Sequence, residues 1–159
     1  MEDPLQCRFV EDDGVSLLPI YPRVMERVRI AQRGPWSVPL GQKRDNLLRI
    51  DRIIDVGSEF AVFARFYVSV DRFPKLETMP ASALDGMSLT RLLVRKDTRQ
   101  IEFDQSILVS AFPDWIGRAI NLKSGTTGLV LRTFASNAGQ PLYYQELFVP
   151  PSRWALKLN

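Results

Sequence analysis

Five polar side chains in this 159-residue chain share strand faces with apolar neighbours, by the alternation that strand geometry imposes. Arg52 alternates with Leu48, Ile50 and Ile54, and Arg65 with Phe63 and Tyr67. Gln105 falls among Ile101, Phe103, Ile107 and Val109, and Arg132 between Val130 and Phe134. Glu146 alternates with Leu142, Tyr144 and Phe148 inside PLYYQELFVPPSRW (141–154). A charge turned toward a core must be paired or must line a cavity. Arg52 and Glu146 can close on each other as a buried ion pair. Alternatively, the arginines can grip a carboxylate or phosphate through a bidentate fork, while Glu146 accepts hydroxyl or amine donors. Several such residues, each alone among hydrophobes, favour a pocket with a few convergent polar groups.

The composition removes much other chemistry. The chain has no histidine and one cysteine, Cys7. A Ser-His-Asp triad, a Cys-His pair, a histidine metal site and an internal disulfide are therefore impossible within it. Neither a metal nor a cofactor is expected, and Cys7 reads as an ordinary N-terminal residue. The net charge is +3 and the pI about 9.2. Acids interrupt every basic stretch, as in RVMERVR (23–29), KRDNLLRIDR (43–52) and RLLVRKDTR (91–99). These are the solvated faces of ordinary elements and not a nucleic-acid footprint. No apolar run is long enough to span a bilayer, and the acidic start is not a secretory signal, so a cytoplasmic protein is expected.

The elements that would position these residues follow from periodicity and turn signals. Strands are expected over 24–30, 47–56, 60–70, 99–110, 129–136 and 141–150. GSE (57–59) and NAGQ (137–140) close two hairpins, while RGPWSVPLGQ (33–42) is a loop or a short helical turn. Residues 71–80 connect, anchored by Phe73 and Leu76. Asp85 can cap a helix over 86–94 that carries Leu89, Leu92 and Leu93, and a second helix spans 112–122. Short connections imply a largely antiparallel sheet with a few flanking helices, an α+β domain occupying residues 1–159.

Three stretches carry a family resemblance. LRIDRIIDVGSEFAVFARFYVSVDRFPKL (48–76) resembles the first hairpin of the UTRA domain, the effector-binding domain of GntR-type transcription regulators of the HutC subfamily. LDGMSLTRLL (84–93) is similar to its short helix, and residues 114–158 to its C-terminal run of helix, glycine turn and hairpin. The likeness covers the chain from about residue 15 through many individually weak positions. It implies a chorismate lyase-like α+β fold and no catalysis. It also implies a small-molecule effector whose binding alters operator affinity in an N-terminal winged-helix domain that is absent from this chain. DNA would be met only through that domain, and a homodimer is expected. The favoured reading is a piece of a longer regulator, with a free-standing sensor as the other.

By position, the resemblance assigns Arg52 to the first arginine of an R-x-R effector-anion motif whose second arginine is Ile54 here. Ser88 and Thr90 match the phosphate-holding Ser and Tyr at the helix start. Arg65 keeps the arginine of an E-R pair whose acid is Ala64, and Tyr143 stands where many members carry a ligand-contacting Glu. These departures imply a small carboxylate or other small polar metabolite in place of a phosphosugar. The candidate effector residues are thus Arg52, Arg65, Ser88, Thr90, Gln105, Arg132, Tyr143 and Glu146. A competing resemblance links QPLYYQELFVPPS (140–152) to the last strand of chorismate pyruvate-lyase, where Glu146 would be an active-site acid and Arg52 or Arg65 would hold substrate.

Overall fold

A computed structural model describes residues 8–11, 13–85, 89, 93 and 100–158. Among the described residues there are eight strands: β1 (Arg8–Val10), β2 (Ile20–Ile30), β3 (Leu47–Val56), β4 (Phe60–Ser69), β5 (Ile101–Ala111), β6 (Thr127–Asn137), β7 (Gln140–Val149) and β8 (Ala155–Lys157). The short helices α1 (Lys75–Thr78) and α2 (Asp114–Ala119) and a 3-10 turn at Ala81–Leu84 accompany them among the described residues. Six strands form one antiparallel sheet in the order β2-β3-β4-β7-β6-β5, and β1 pairs with β8 apart from it. This is the expected α+β architecture.

The central strands are rich in aromatic and β-branched residues, which suits a pleated surface buried on both sides. In β3, LLRIDRIIDV, every residue is buried or half-buried. Its hairpin with β4 turns at Gly57 and Ser58, and the β6–β7 hairpin at Ala138 and Gly139, all with positive φ. Two consecutive left-handed residues give a two-residue turn the twist that the flanking strands need.

Each face of the sheet is covered in two places. On the front face, Leu48, Ile50, Phe66 and Val68 pack with Leu76 of α1, Leu84 and Leu89. Farther along the same face, Val56, Val62, Leu131 and Leu147 pack with Phe9 and Leu18, and Trp154 and Leu156 lie against them. On the back face, Ile53, Phe63, Val130 and Phe148 pack with Ile116 and Ile120 of the α2 region. Leu47, Tyr67 and Tyr144 pack there with Trp36 and Leu40 of the 33–42 segment, with Trp36 stacked on Tyr67 at 4.1 Å. The helix expected over 86–94 falls mostly outside the described residues. Leu89 and Leu93 are helical, and both meet the front-face core.

The strand boundaries follow the expected ones closely, with two additions. β2 begins four residues early, at Ile20, and β1 with β8 was not anticipated. The expected capping role of Asp85 toward 86–94 falls outside the described residues, and Asp85 also reaches β2. Its Oδ1 accepts the Val24 amide at 2.7 Å, where β2 is irregular between Val24 and Glu26. Arg27 Nη1 donates to the carbonyls of Leu76 (3.0 Å) and Met79 (2.6 Å), tying α1 to the same strand.

Gly128 opens β6 where the sheet meets Phe112. A Cβ there would lie 2.3 Å from Phe112 Cζ and 2.6 Å from the Val149 carbonyl oxygen. Because the carbonyl belongs to a paired strand, it cannot withdraw. Gly128→Ala is expected to cost about 1–3 kcal/mol, read as a lower midpoint in thermal unfolding followed by circular dichroism.

Candidate functional site

The cross-strand register assigns every candidate side chain to a face. Arg52 pairs with Val24 on one side and Ala64 on the other, and Ala64 pairs with Leu147. Gln145 lies between Phe66 and Thr133, and Thr133 is also opposite Gln105. Directly opposed residues of antiparallel strands share a face, and so do residues two apart along one strand. Arg52, Gln145, Thr133 and Gln105 therefore all stand on the front face.

Their position along each strand is what gives them meaning. Arg52 lies between Ile50 and Ile54, Gln145 between Tyr143 and Leu147, Thr133 between Leu131 and Ala135, and Gln105 between Phe103 and Ile107. In each case the first cluster of the front face lies on one side and, for β3, β6 and β7, the second cluster on the other. Arg52, Gln145 and Thr133 make a polar band between two greasy patches, and Gln105, expected to point inward, is exposed on the edge strand and continues the band outward. Gln105 Nε2 donates to Thr133 Oγ1 at 3.1 Å. Tyr143 borders the band, stacked on Phe66 at 4.8 Å.

Arg52 is the charge of this band. It is 7% exposed. Burial pulls its pKa down to about 10, and the negative charge of Asp85 works in the opposite direction. The guanidinium stays protonated at neutral pH, although it has lost most of its water. Beside it on β4, Ala64 contributes only a methyl group to the face.

The back face holds the other three candidates. Arg65 is opposite both Asp51 and Glu146, and Glu146 is opposite Arg132. Arg65 donates Nε and Nη2 to the two Asp51 oxygens at 2.8 and 3.0 Å, a bidentate fork. Its guanidinium also lies 4.3 Å over the Trp115 ring. Burial opposes the Arg65 charge, but the hydrogen bonds and charge of Asp51 outweigh it and hold the pKa above the ordinary value. Arg49 reaches Glu26 at 3.0 Å and Asp51 at 3.5 Å. Arg132 Nε faces Glu146 Oε2 at 3.4 Å. Burial raises the pKa of Tyr67 and Tyr144 within the same band.

The eight candidates are therefore not one pocket. Arg52, Gln105 and Tyr143 share the front face; Arg65, Arg132 and Glu146 share the back. Ser88 and Thr90 lie outside the described residues. The Arg52–Glu146 ion pair is corrected as well, since the sheet itself separates the two side chains and Glu146 meets Arg132 instead. A lyase site built on Glu146 with Arg52 meets the same obstacle. With Arg65 as partner, it would use a guanidinium already held by both oxygens of Asp51.

Thr133 and Gln145 complete the front band, and sequence parity passed over them. Both faces of β6 and β7 are buried, so the residues beside Arg132 and Glu146 carry as strong an inward signal as those two. The usable clue was their rank, since each is the lone polar residue between apolar neighbours on its own face.

The UTRA domain family model matches residues 23–155. Among solved structures, a GntR-family transcriptional regulator from Enterococcus faecalis V583 is 16% identical, with a TM-score of 0.70, covering 87% of this chain and 99% of its own. The effector domain of PhnF from Mycobacterium smegmatis is 12% identical, with a TM-score of 0.68, over 86% of this chain and 83% of that domain. The C-terminal domain of Yurk from Bacillus subtilis is 16% identical, with a TM-score of 0.67, over 80% of this chain and 88% of its own. At these identities the likeness is one of fold. No curated protein sequence matches the chain.

Asp51 joins Arg65 and Arg49 in the back-face network, and its loss should be felt in stability. Asp51→Asn leaves Arg65 and Arg49 without their shared acid. Discounting for the partial exposure of Arg65, the substitution is expected to cost about 2–3 kcal/mol, measured as a lower urea midpoint at unchanged slope.

Proposed function

The chain belongs to the UTRA domain family, and from that premise we propose that it is the effector-binding domain of a GntR-type transcription regulator of the HutC subfamily. It senses a small carboxylate or similar small polar anion on its front face. The observation that carries this reading is the burial of Arg52 in the polar band. A guanidinium in that place can hold an anion through charge-assisted hydrogen bonds beside the contacts it already makes within the domain. Gln145, Thr133 and Gln105 offer neutral donors and acceptors alongside it, and Tyr143 with Phe66 offers a flat apolar wall. Among the described residues the band supplies a single arginine, and the next position on that face of β3 is Ile54. One guanidinium fork suits a carboxylate better than a doubly charged phosphate ester.

The regulatory step is a shift of population. An effector that binds one arrangement of the domain better than another biases the attached winged-helix domain by that difference in affinity. Matching dimers to a two-fold operator requires a homodimer, which we include in the proposal together with a cytoplasmic location.

Isothermal calorimetry with a panel of small carboxylic acids tests the reading. A ligand found for the wild-type chain is expected to lose at least about tenfold in affinity with Arg52→Gln, the scale of a charge-assisted hydrogen bond. Arg132→Gln, on the opposite face, is expected to keep wild-type affinity. Equal effects of the two substitutions would sink the assignment to the front face.

The pH dependence follows from the same arginine. It binds an anion only while protonated, and a carboxylate ligand must itself be ionised, with an ordinary pKa of about 4. Affinity is expected to hold between about pH 6 and pH 9 and to fall above about pH 10, where Arg52 begins to lose its proton. Because a bound anion raises the Arg52 pKa, binding near the upper limit takes up protons. Calorimetry in two buffers of different ionisation enthalpy reads that uptake directly.

A further inference from the structure

The connection after β4, residues 70–85, sorts its charges to two sides. Its three acids are engaged toward β2 and β3. Asn46 Nδ2 donates to Asp71 Oδ2 at 3.1 Å, Arg29 Nη2 to Glu77 Oε1 at 2.9 Å, and the Val24 amide to Asp85 Oδ1 at 2.7 Å. Its two cations, Arg72 and Lys75, instead line a half-open cavity of about 470 Å³, and both are exposed. The other walls are apolar, with Phe73, Leu76, Met79 and Leu93 among them, and no acid lines the cavity among the described residues. Leu76 belongs to the first front-face cluster, while Phe73, Met79 and Leu93 pack against that cluster and stay half-buried. The walls are fixed from behind. Arg27 holds the carbonyls of Leu76 and Met79, and Arg72 Nη2 donates to Gln140 Oε1 at the β6–β7 hairpin. No member of the polar band at Arg52 is among the described lining residues.

A cavity of this size falls within the range of about 300–1,000 Å³ typical of small-molecule sites, which pair apolar walls with a few placed polar groups. Apolar walls left half-open to water favour an apolar body that covers them. Two cations at the mouth, with the acids of the same segment drawn to the other side, favour a negative head. We propose that this cavity is a second ligand site, separate from the band at Arg52, and that it takes an amphiphilic anion, an apolar chain ending in a single carboxylate. The chain lies against Phe73, Leu76, Met79 and Leu93, and the carboxylate meets Arg72 and Lys75. Magnitudes divide the labour between the two halves. Arg72 and Lys75 are exposed, so each contributes little, as surface ion pairs do. Most of the affinity must come from the chain, through the area that it removes from water. Arg52 presents the reverse case, a buried cation among polar neighbours that suits a small polar acid. The second site rests on its own cavity and does not depend on the reading of Arg52.

Calorimetry with octanoate, its shorter homologues and 1-octanol tests the site. Octanoate should bind the wild-type chain, and each methylene removed should weaken binding about fourfold. Arg72→Gln combined with Lys75→Gln should weaken octanoate about three- to tenfold and leave the weaker binding of 1-octanol unchanged. Both positions are exposed, so an unchanged far-ultraviolet spectrum is expected. Nuclear magnetic resonance locates the ligand in the wild-type chain without any variant. The Met79 methyl signal should move on titration with octanoate, and that of Met25, exposed on β2, should not. Arg52→Gln should leave octanoate binding as it is. A wild type that ignores octanoate overturns the proposal, and so does a Met79 methyl that stays still while octanoate binds. Binding that Arg52→Gln abolishes also overturns it, because the acid then sits in the polar band. Octanol that binds as tightly as octanoate overturns the assignment to an anion. Octanoate binding with no small acid bound at Arg52 would uphold this site and count against the effector reading alone.

Discussion

A guanidinium withdrawn from water must meet negative charge. In this domain two arginines on neighbouring strands meet that demand in different ways. Arg65 points to the back face and is held by both oxygens of Asp51, one strand away, beneath the ring of Trp115. Arg52 points to the front face and sits among apolar clusters, with Asp85 acting on it through charge. The first arrangement is closed and structural. The second is a buried charge on the face that carries the polar band. Much of the fold serves to keep these two demands apart. Both faces have a polar midline, and on each face the apolar material is divided into two clusters on either side of it.

That division explains what the sequence made legible and what it hid. The alternation in 47–56 and 60–70, the turn at 57–58 and the hairpin around 138–139 were readable because local chemistry decides them. Each polar residue was also correctly matched to its own apolar companions, as Arg132 to Val130 and Phe134. The step that failed was the joining of those faces between strands. Parity fixes which residues of one strand share a side, but only the register between strands says that the Arg52 side of β3 is the Gln145 side of β7 and not the Glu146 side. In a sheet solvated on one face, hydrophobicity would have supplied that link. Here β3, β4, β6 and β7 are buried on both faces, so every face looked inward.

The same reasoning accounts for Asp85. Its place before an apolar run makes it a candidate helix cap, a role that falls outside the described residues. The structure shows its carboxylate on the Val24 amide of an irregular edge strand, and its charge acts on Arg52. One side chain thus protects an edge and supports the front-face arginine. No sequence rule joins residues 24, 52 and 85, because the contact is made by the sheet and by the connection that crosses over it.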